Sequence, residues 1–332
     1  IHYNSSKLAF AEKDLSLSAT YTPWLRALGL NDVYMAYLSG YKQVDKLSAI
    51  GFGLRYFSLG QISYTTDTGQ ENGTGKPNEF EISAAYARKL SDNFSLSLGG
   101  KFIYSNLAAG QRVGAIEINP GTAGAVDFGL TWKKDIELSG NQTDLTIGAA
   151  ITNLGTKISY TNSANKDFIP TNLGIGAAWE FQFDENNSFT ITADLNKLLV
   201  PTPCISSNDP SVPSCDEDQD GILDYKQKSV VGGLLGSFTD AQGGAGEEFR
   251  EINYSIGMEY WYDKQFAVRA GYYTEAQTKG NRQYFTVGLG LKYNVFGLNF
   301  SYLVPTTSQR NPLDNTLRFS LIFDFEAFED DE

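Results

Sequence analysis

Period-two alternation of apolar and polar residues, repeated along almost the whole chain in segments of about 9 to 13 residues, constrains this fold more than any other feature. From Asn93, the apolar set Phe94, Leu96, Leu98, Phe102 and Tyr104 alternates with Ser95, Ser97, Gly99 and Lys101. Phe189, Ile191, Ala193 and Leu195 alternate with Thr190, Thr192, Asp194 and Asn196. Phe285 to Tyr293 and Leu317 to Phe325 repeat the pattern. Successive side chains of a strand point to opposite faces, so each segment reads as a strand with one apolar and one polar face. Fourteen are counted, at 15–23, 33–43, 47–59, 78–90, 93–105, 122–134, 143–153, 171–183, 187–197, 249–262, 265–274, 282–293, 296–304 and 314–325.

Segment length separates the two folds that alternate in this way. Strands of soluble sheets average about five or six residues, whereas a tilted strand crossing a bilayer needs about 9 to 11. The connections also alternate: those near 44–46, 91–92, 184–186, 263–264 and 294–295 are tight, and those at 60–77, 106–121, 154–170, 198–248 and 305–313 are long. Short turns on one rim and long loops on the other describe an outer-membrane barrel, with both termini on the turn side. Aromatics at segment ends, among them Trp24, Trp132, Tyr260, Tyr272, Tyr293 and Tyr302, sit where interfacial girdles belong. The expected fold is all-β, a single antiparallel transmembrane barrel over 15–325. A lead-in at 1–14 precedes it and an acidic tail at 326–332 follows it.

Composition removes other classes. With 26 Lys plus Arg against 39 Asp plus Glu, the chain carries a formal charge of −13, the wrong sign for binding a phosphate backbone. Its 41% hydrophobic and 13% aromatic content is too high for a disordered chain. No apolar run approaches the roughly 18 to 20 residues of a spanning helix. The chain starts at Ile1 without a basic and apolar leader, and so reads as processed or truncated.

If the apolar face meets lipid, the polar face lines the lumen with Glu81, Lys101, Asp127, Glu180, Asp194, Glu259, Arg269, Lys292 and Arg318. Both signs are present, and either pairing across the lumen or ion selection accounts for them. The polar face gives no sign of an apolar internal pocket. Strand glycines such as Gly51, Gly174, Gly176, Gly288 and Gly290 permit curvature and close approach. Catalysis finds little support: the one histidine is His2, no G-x-S-x-G elbow occurs, and Gly69 to Lys76 lacks P-loop spacing.

The long loop 198–248 carries both cysteines, Cys204 and Cys215, which in an oxidising compartment form a loop disulfide or remain two thiols. Asp216, Asp218, Asp220, Ile222 and Asp224 follow, with Gly221 at the turn. This resembles the first part of a calcium loop, although Gln227 stands where a bidentate glutamate would complete an EF-hand. A solvated acidic loop is the alternative to Ca2+. Further on, an apolar Gly-rich stretch contains Leu234 and Leu235 and leads into Phe238, Thr239 and Asp240. Such a stretch either folds over the barrel mouth or meets a protein partner.

Asn4-Ser5-Ser6-Lys7-Leu8-Ala9 resembles the Asn-Pro-Ala-x-Leu-Ala element of FadL-like barrels, with Ser5 in place of proline. Tyr21 to Leu25, Tyr37 to Tyr41, Leu54 to Gly60, Ile151 to Gly155, Phe168 to Leu173, Ser237 to Ala241 and Asn311 to Ser320 resemble the PorV family, FadL-like barrels of the Bacteroidetes type IX secretion system. That resemblance implies a bacterial cell outer-membrane shuttle without chemistry of its own. It would take cargo, by the cargo's C-terminal domain, from a large translocon barrel. It would then deliver that cargo to a surface attachment complex with a sortase-like protease, which links it to lipopolysaccharide amid outer-membrane lipid. Leu234, Leu235, Phe238, Thr239 and Asp240 are the expected partner contacts, with the loops at 60–77 and 305–313 next. Few residues precede Asn4, so the lumenal N-terminal segment of such barrels is expected to be missing. A FadL-like transporter of hydrophobic small molecules is the second reading.

Overall fold

In the computed structural model, residues 1–66, 68–108, 110–113, 116–138, 141–161, 166–204, 215–306 and 313–325 are described. Fourteen strands form one closed antiparallel barrel. They are β1 Leu15–Pro23, β2 Val33–Asp45, β3 Ser48–Leu59, β6 Asn78–Ser91, β7 Phe94–Asn106, β10 Gly121–Leu138 and β11 Asn141–Gly155. The second half holds β12 Asn172–Gln182, β13 Ser188–Leu198, β14 Ile252–Tyr262, β15 Phe266–Thr274, β16 Gln283–Tyr293, β17 Phe296–Pro305 and β18 Leu317–Phe325. Two small hairpins, β4 Ile62–Thr65 with β5 Glu71–Gly75 and β8 Arg112–Val113 with β9 Ile116–Glu117, rise from the loops. The barrel closes between its first and last strands, in a register running from Leu15 opposite Phe325 to Tyr21 opposite Phe319.

All fourteen expected strands are present. Two starts are displaced by three residues: β18 begins at Leu317 rather than at 314, and residues 249 and 250 belong to the short helix α3, Ala245–Arg250, so that β14 begins at Ile252. Phe249 is out of phase with the outward set Tyr254, Ile256 and Met258, and Gly244 at positive φ with Glu247 and Glu248 in the first turn suits a helix start. Among the described residues no helix is long and apolar enough to cross a membrane.

Burial is inverted relative to a soluble protein. Large apolar side chains face outward, with Ile256 55% and Leu289 58% exposed, while small residues such as Ala49, Ala87, Ser95 and Thr131 are among the most buried. Such a surface requires lipid as its solvent.

The expectation that the lumenal N-terminal segment is missing is corrected. Ser5–Phe10 forms a 3-10 turn inside the barrel, with Ser5, Ser6, Leu8 and Ala9 buried. Asn4 caps it by accepting from the Ser6 N–H, and its Nδ2 donates to the Leu130 carbonyl at 2.8 Å. Gln43 Nε2 donates to the carbonyls of Leu8 and Ala11. Strand glycines make the room: a Cβ on Gly51 would strike the Leu8 side chain, and one on Gly129 would strike the Asn4 amide. At these positions the barrel wall recedes to meet the turn.

Ion pairs cross the lumenal face as Lys101–Asp127 at 2.8 Å, Arg55–Glu81 at 3.7 Å, Lys292–Asp324 at 3.4 Å and Arg269–Glu259. Glu180, Asp194 and Arg318 form no ion pair with another described residue. At a bulge between β10 and β11, Asn153 adopts a left-handed conformation, φ 59°, and accepts from Lys101 Nζ while its own N–H donates to Asp127.

Candidate functional site

Residues 215–251 of the long connection from β13 to β14 form a folded cap on the loop rim. Cys204 and Cys215 are disulfide-bonded, their Cα atoms 5.6 Å apart. The acidic stretch follows. Carboxylate oxygens of Asp216, Asp218 and Asp224 lie within 4.8 Å of one another. Asp216 accepts from the N–H groups of Asp220 and Gly221, and Asp224 accepts from that of Glu217. Asp220 is turned away from this group, accepting from the Ile222 N–H and from Gln227 Nε2, and the Ile222 carbonyl also accepts from Gln227. Of the five expected ligands, three carboxylates are therefore brought together. Desolvation pushes the Asp218 carboxyl above its ordinary range, and the neighbouring Asp220 and Asp216 carboxylates add to the shift.

Helix α1, Asp224–Gln227, leads into α2, Val230–Gly236. Ser229 caps α2 by accepting the Gly232 N–H at 3.0 Å. Gly233 is buried where a Cβ would meet Phe168 and Pro201 at 2.9 Å, so its lack of a side chain lets α2 sit down on the neighbouring loop. Val231 and Leu235, one turn apart, are then left 63% and 66% exposed, and Phe238 and Phe249 are exposed as well. Leu234 is half-buried and Thr239 exposed. Asp240 plays a different part: its carboxylate accepts from the Thr202 N–H and pairs with Lys228 at 3.2 Å, tying the cap together.

An ion-pair network fixes this cap to the barrel. Lys197 at the end of β13 bonds Glu248 at 3.0 Å and Glu251 at 2.6 Å, and Lys279 bonds Glu247 at 2.5 Å and Glu251 at 2.9 Å. The Lys279 ammonium and then the Gly243 N–H hold the Glu247 carboxyl below its ordinary range. Desolvation acts the other way on Glu251, but its hydrogen bonds from Lys197, Lys279 and Thr202 outweigh it. Sequence reasoning missed this network because its members come from the end of β13, the β13–β14 connection and the β15–β16 connection.

Residues 156–161 and 166–171 turn into the mouth, burying Ile158 and Ile169 against Ala123 and Ala125. Beneath it lies a cavity of about 640 Å³ whose walls include Trp24, Phe57, Ile103, Ile158 and Ile169. This corrects the expectation of no apolar pocket. Its apolar walls come from the loop and from strand ends near the loop rim, where inward positions such as Phe57, Ile103 and Leu303 are apolar too. That break in alternation was the available signal. Residues 307–312 of the loop at 305–313, and the tail 326–332, lie outside the described residues.

Among solved structures, two of the Pseudomonas putida toluene transporter TodX match with TM-scores of 0.51 and 0.52 at 12% and 9% identity. They cover 96% and 98% of this chain, and 90% and 93% of theirs. A Pseudomonas aeruginosa FadL homologue matches at a TM-score of 0.45 and 11% identity, over 97% of this chain and 93% of that one. At such identity the TodX likeness shows the fold alone. A search of curated proteins returns no significant match. Residues 1–205, from the lumenal turn through the inturned loop to the start of the cap, match the family model described as Type IX secretion system protein PorV. With well over half of its length matched, this outer-membrane barrel belongs to the PorV family of the type IX secretion system.

Proposed function

We propose that the chain is the cargo shuttle of that system: it captures the C-terminal domain of cargo leaving the large translocon barrel and delivers it to the sortase-like attachment complex, with no chemistry of its own. The observation that carries this reading is the exposed apolar set Val231, Leu235 and Phe238, held on a cap that is clamped to the barrel. A barrel sunk in a membrane meets external proteins through its loops, and an exposed apolar patch with a polar surround is a protein-contact surface. Deleting 229–244 should leave the barrel folded and abolish co-purification of cargo C-terminal domains. Capture that persists would remove the cap from the docking site.

Calcium at Asp216, Asp218 and Asp224 is part of the same proposal, as a stiffener of the cap, since a divalent cation suits three converging carboxylates. Calorimetry should show calcium binding that Asp218→Ala plus Asp224→Ala weakens; the absence of binding would retire the ion.

The cavity of about 640 Å³ favours a second reading, in which the lumen carries hydrophobic small molecules as TodX carries toluene. Mass spectrometry of the purified barrel distinguishes the two: cargo and translocon for the shuttle, a bound small hydrophobe alone for the transporter.

A further inference from the structure

The N-terminal turn does not fill the lumen evenly. It packs chiefly against β2, β3, β6, β7 and β10, where inward-facing Ser95 and Thr131 are 0% and 1% exposed. Across from it the wall is built of small and polar residues. Gly174 and Gly176 on β12, Thr190 and Thr192 on β13, Ser255 and Gly257 on β14 and Gly271 on β15 all point inward, in register with the lumenal pair Glu259–Arg269. Asp194 also faces the lumen, yet it is exposed. So is Lys7, on the open side of the turn, and Lys7 is the nearby charge that acts on Asp194. Two charged side chains inside a barrel, both reached by solvent, mark a space beside the turn rather than a packed core.

That space has an inner and an outer part. A cavity of about 430 Å³ is lined by Thr192, Ser255, Gly257, Glu259 and Arg269, and it shares Tyr284 and Thr286 with the 640 Å³ cavity under the inturned loop. The two parts therefore adjoin along the β13–β16 side of the barrel.

We propose that this half of the lumen is a water-filled path for small ions, with a preference for cations. Burying Asp194 and Glu180 in a dry lumen without partners would cost several kcal/mol per charge, so water must solvate them there. The fixed charges set the preference. Glu259 cancels Arg269, and in the outer cavity Glu79 and Glu81 cancel Arg55 and Arg318. Among the described charges of this half, Asp194 and Glu180 then stand against Lys7, two negative charges to one positive, and a lining of net negative charge favours cations.

Two measurements test the path on the whole barrel. The first is conductance of the purified protein in planar lipid bilayers under a KCl gradient. Small, steady conductance with potassium preferred over chloride is expected, and Asp194→Lys should reverse the preference, since it turns the net charge from −1 to +1. The second is thiol accessibility. The described cysteines are both in the disulfide, so Ser255→Cys introduces a free thiol facing the open half and Ser95→Cys one facing the packed half. A charged, membrane-impermeant methanethiosulfonate should modify Ser255→Cys at least about 100-fold faster than Ser95→Cys, which reacts only after local opening. No conductance in the wild-type barrel would overturn the path even if Ser255→Cys reacts, because the space would then be blind. Equal labelling of the two thiols would overturn the division of the lumen. A conductance whose ion preference is unchanged by Asp194→Lys would overturn the role given to these charges.

Discussion

Ser6 and Thr131 share a hydrogen bond, 2.7 Å between their hydroxyl oxygens, that joins the lumenal turn to the inner face of β10 across 125 residues of chain. Ser95 adds a second tie, donating to the Ser6 carbonyl at 2.9 Å. Thr131→Val keeps the shape and removes this tie, while Ser6 Oγ keeps its bond to Asn4 Oδ1 at 2.6 Å, so the cost should be that of one lost hydrogen bond, about 0.5–1.5 kcal/mol. Hydrogen exchange at residues 5–10 should accelerate accordingly while the barrel strands stay protected. Gly129→Val is expected to do more, because its side chain would occupy the place of the Asn4 amide.

The buried pair Lys101–Asp127 should matter more to the barrel than its exposed counterparts. Their side chains are 3% and 13% exposed, and both also bond the bulge residue Asn153. Lys101→Met strands a carboxylate, and breaking such a pair costs about 3–5 kcal/mol. Unfolding in detergent should show that loss, and Lys101→Met combined with Asp127→Asn should recover part of it. Arg112–Glu117, an exposed pair, should show about 0–1 kcal/mol on the same assay.

Acid should loosen the cap before it touches the barrel. The Glu247 carboxyl lies below its ordinary value of 4.5 because Lys279 pairs with it when the cap is docked. A depressed carboxylate contributes stability that is fully present above the undocked value and is lost as pH falls through the docked one. Exchange at 245–250 and 275–281 should therefore rise below about pH 4.5 while strand amides remain slow. Glu247→Gln should remove that component of the pH dependence.

On the lipid face, Val287→Arg places a charge in the middle of β16, at an outward position 49% exposed. Near the bilayer midplane such a substitution costs about 2–4 kcal/mol, and nearer the interfaces about 0–1. Folding titrations into bilayers should reproduce that gradient between Val287→Arg and Tyr293→Arg. A soluble sheet would show no dependence on depth.

Breaking the disulfide with Cys204→Ser should free the start of the cap. Closing a loop of this separation, 11 residues, is worth about 3 kcal/mol in the chain-entropy account. The effect should be local: faster proteolysis within the cap, with the barrel's thermal transition unchanged.

The sequence by itself determined the barrel. Fourteen long alternating segments, tight and long connections in turn, and lipid-facing sets such as Phe285, Val287, Leu289 and Leu291 admit few other solutions, because strand alternation is local and sums over the chain. The tertiary structure decided everything that depends on which residues meet across the lumen or between loops. Ser6 finds Thr131, Lys197 and Lys279 converge on Glu251, and Gly233 seats α2 against Phe168; none of these lies close in sequence. It also separated Asp240, a tie within the cap, from Leu235 and Phe238, which face outward, although the three are near neighbours in the chain. Periodicity assigns a side chain to a face of its own strand, but closure of the barrel and the folding of its loops determine what that face encounters.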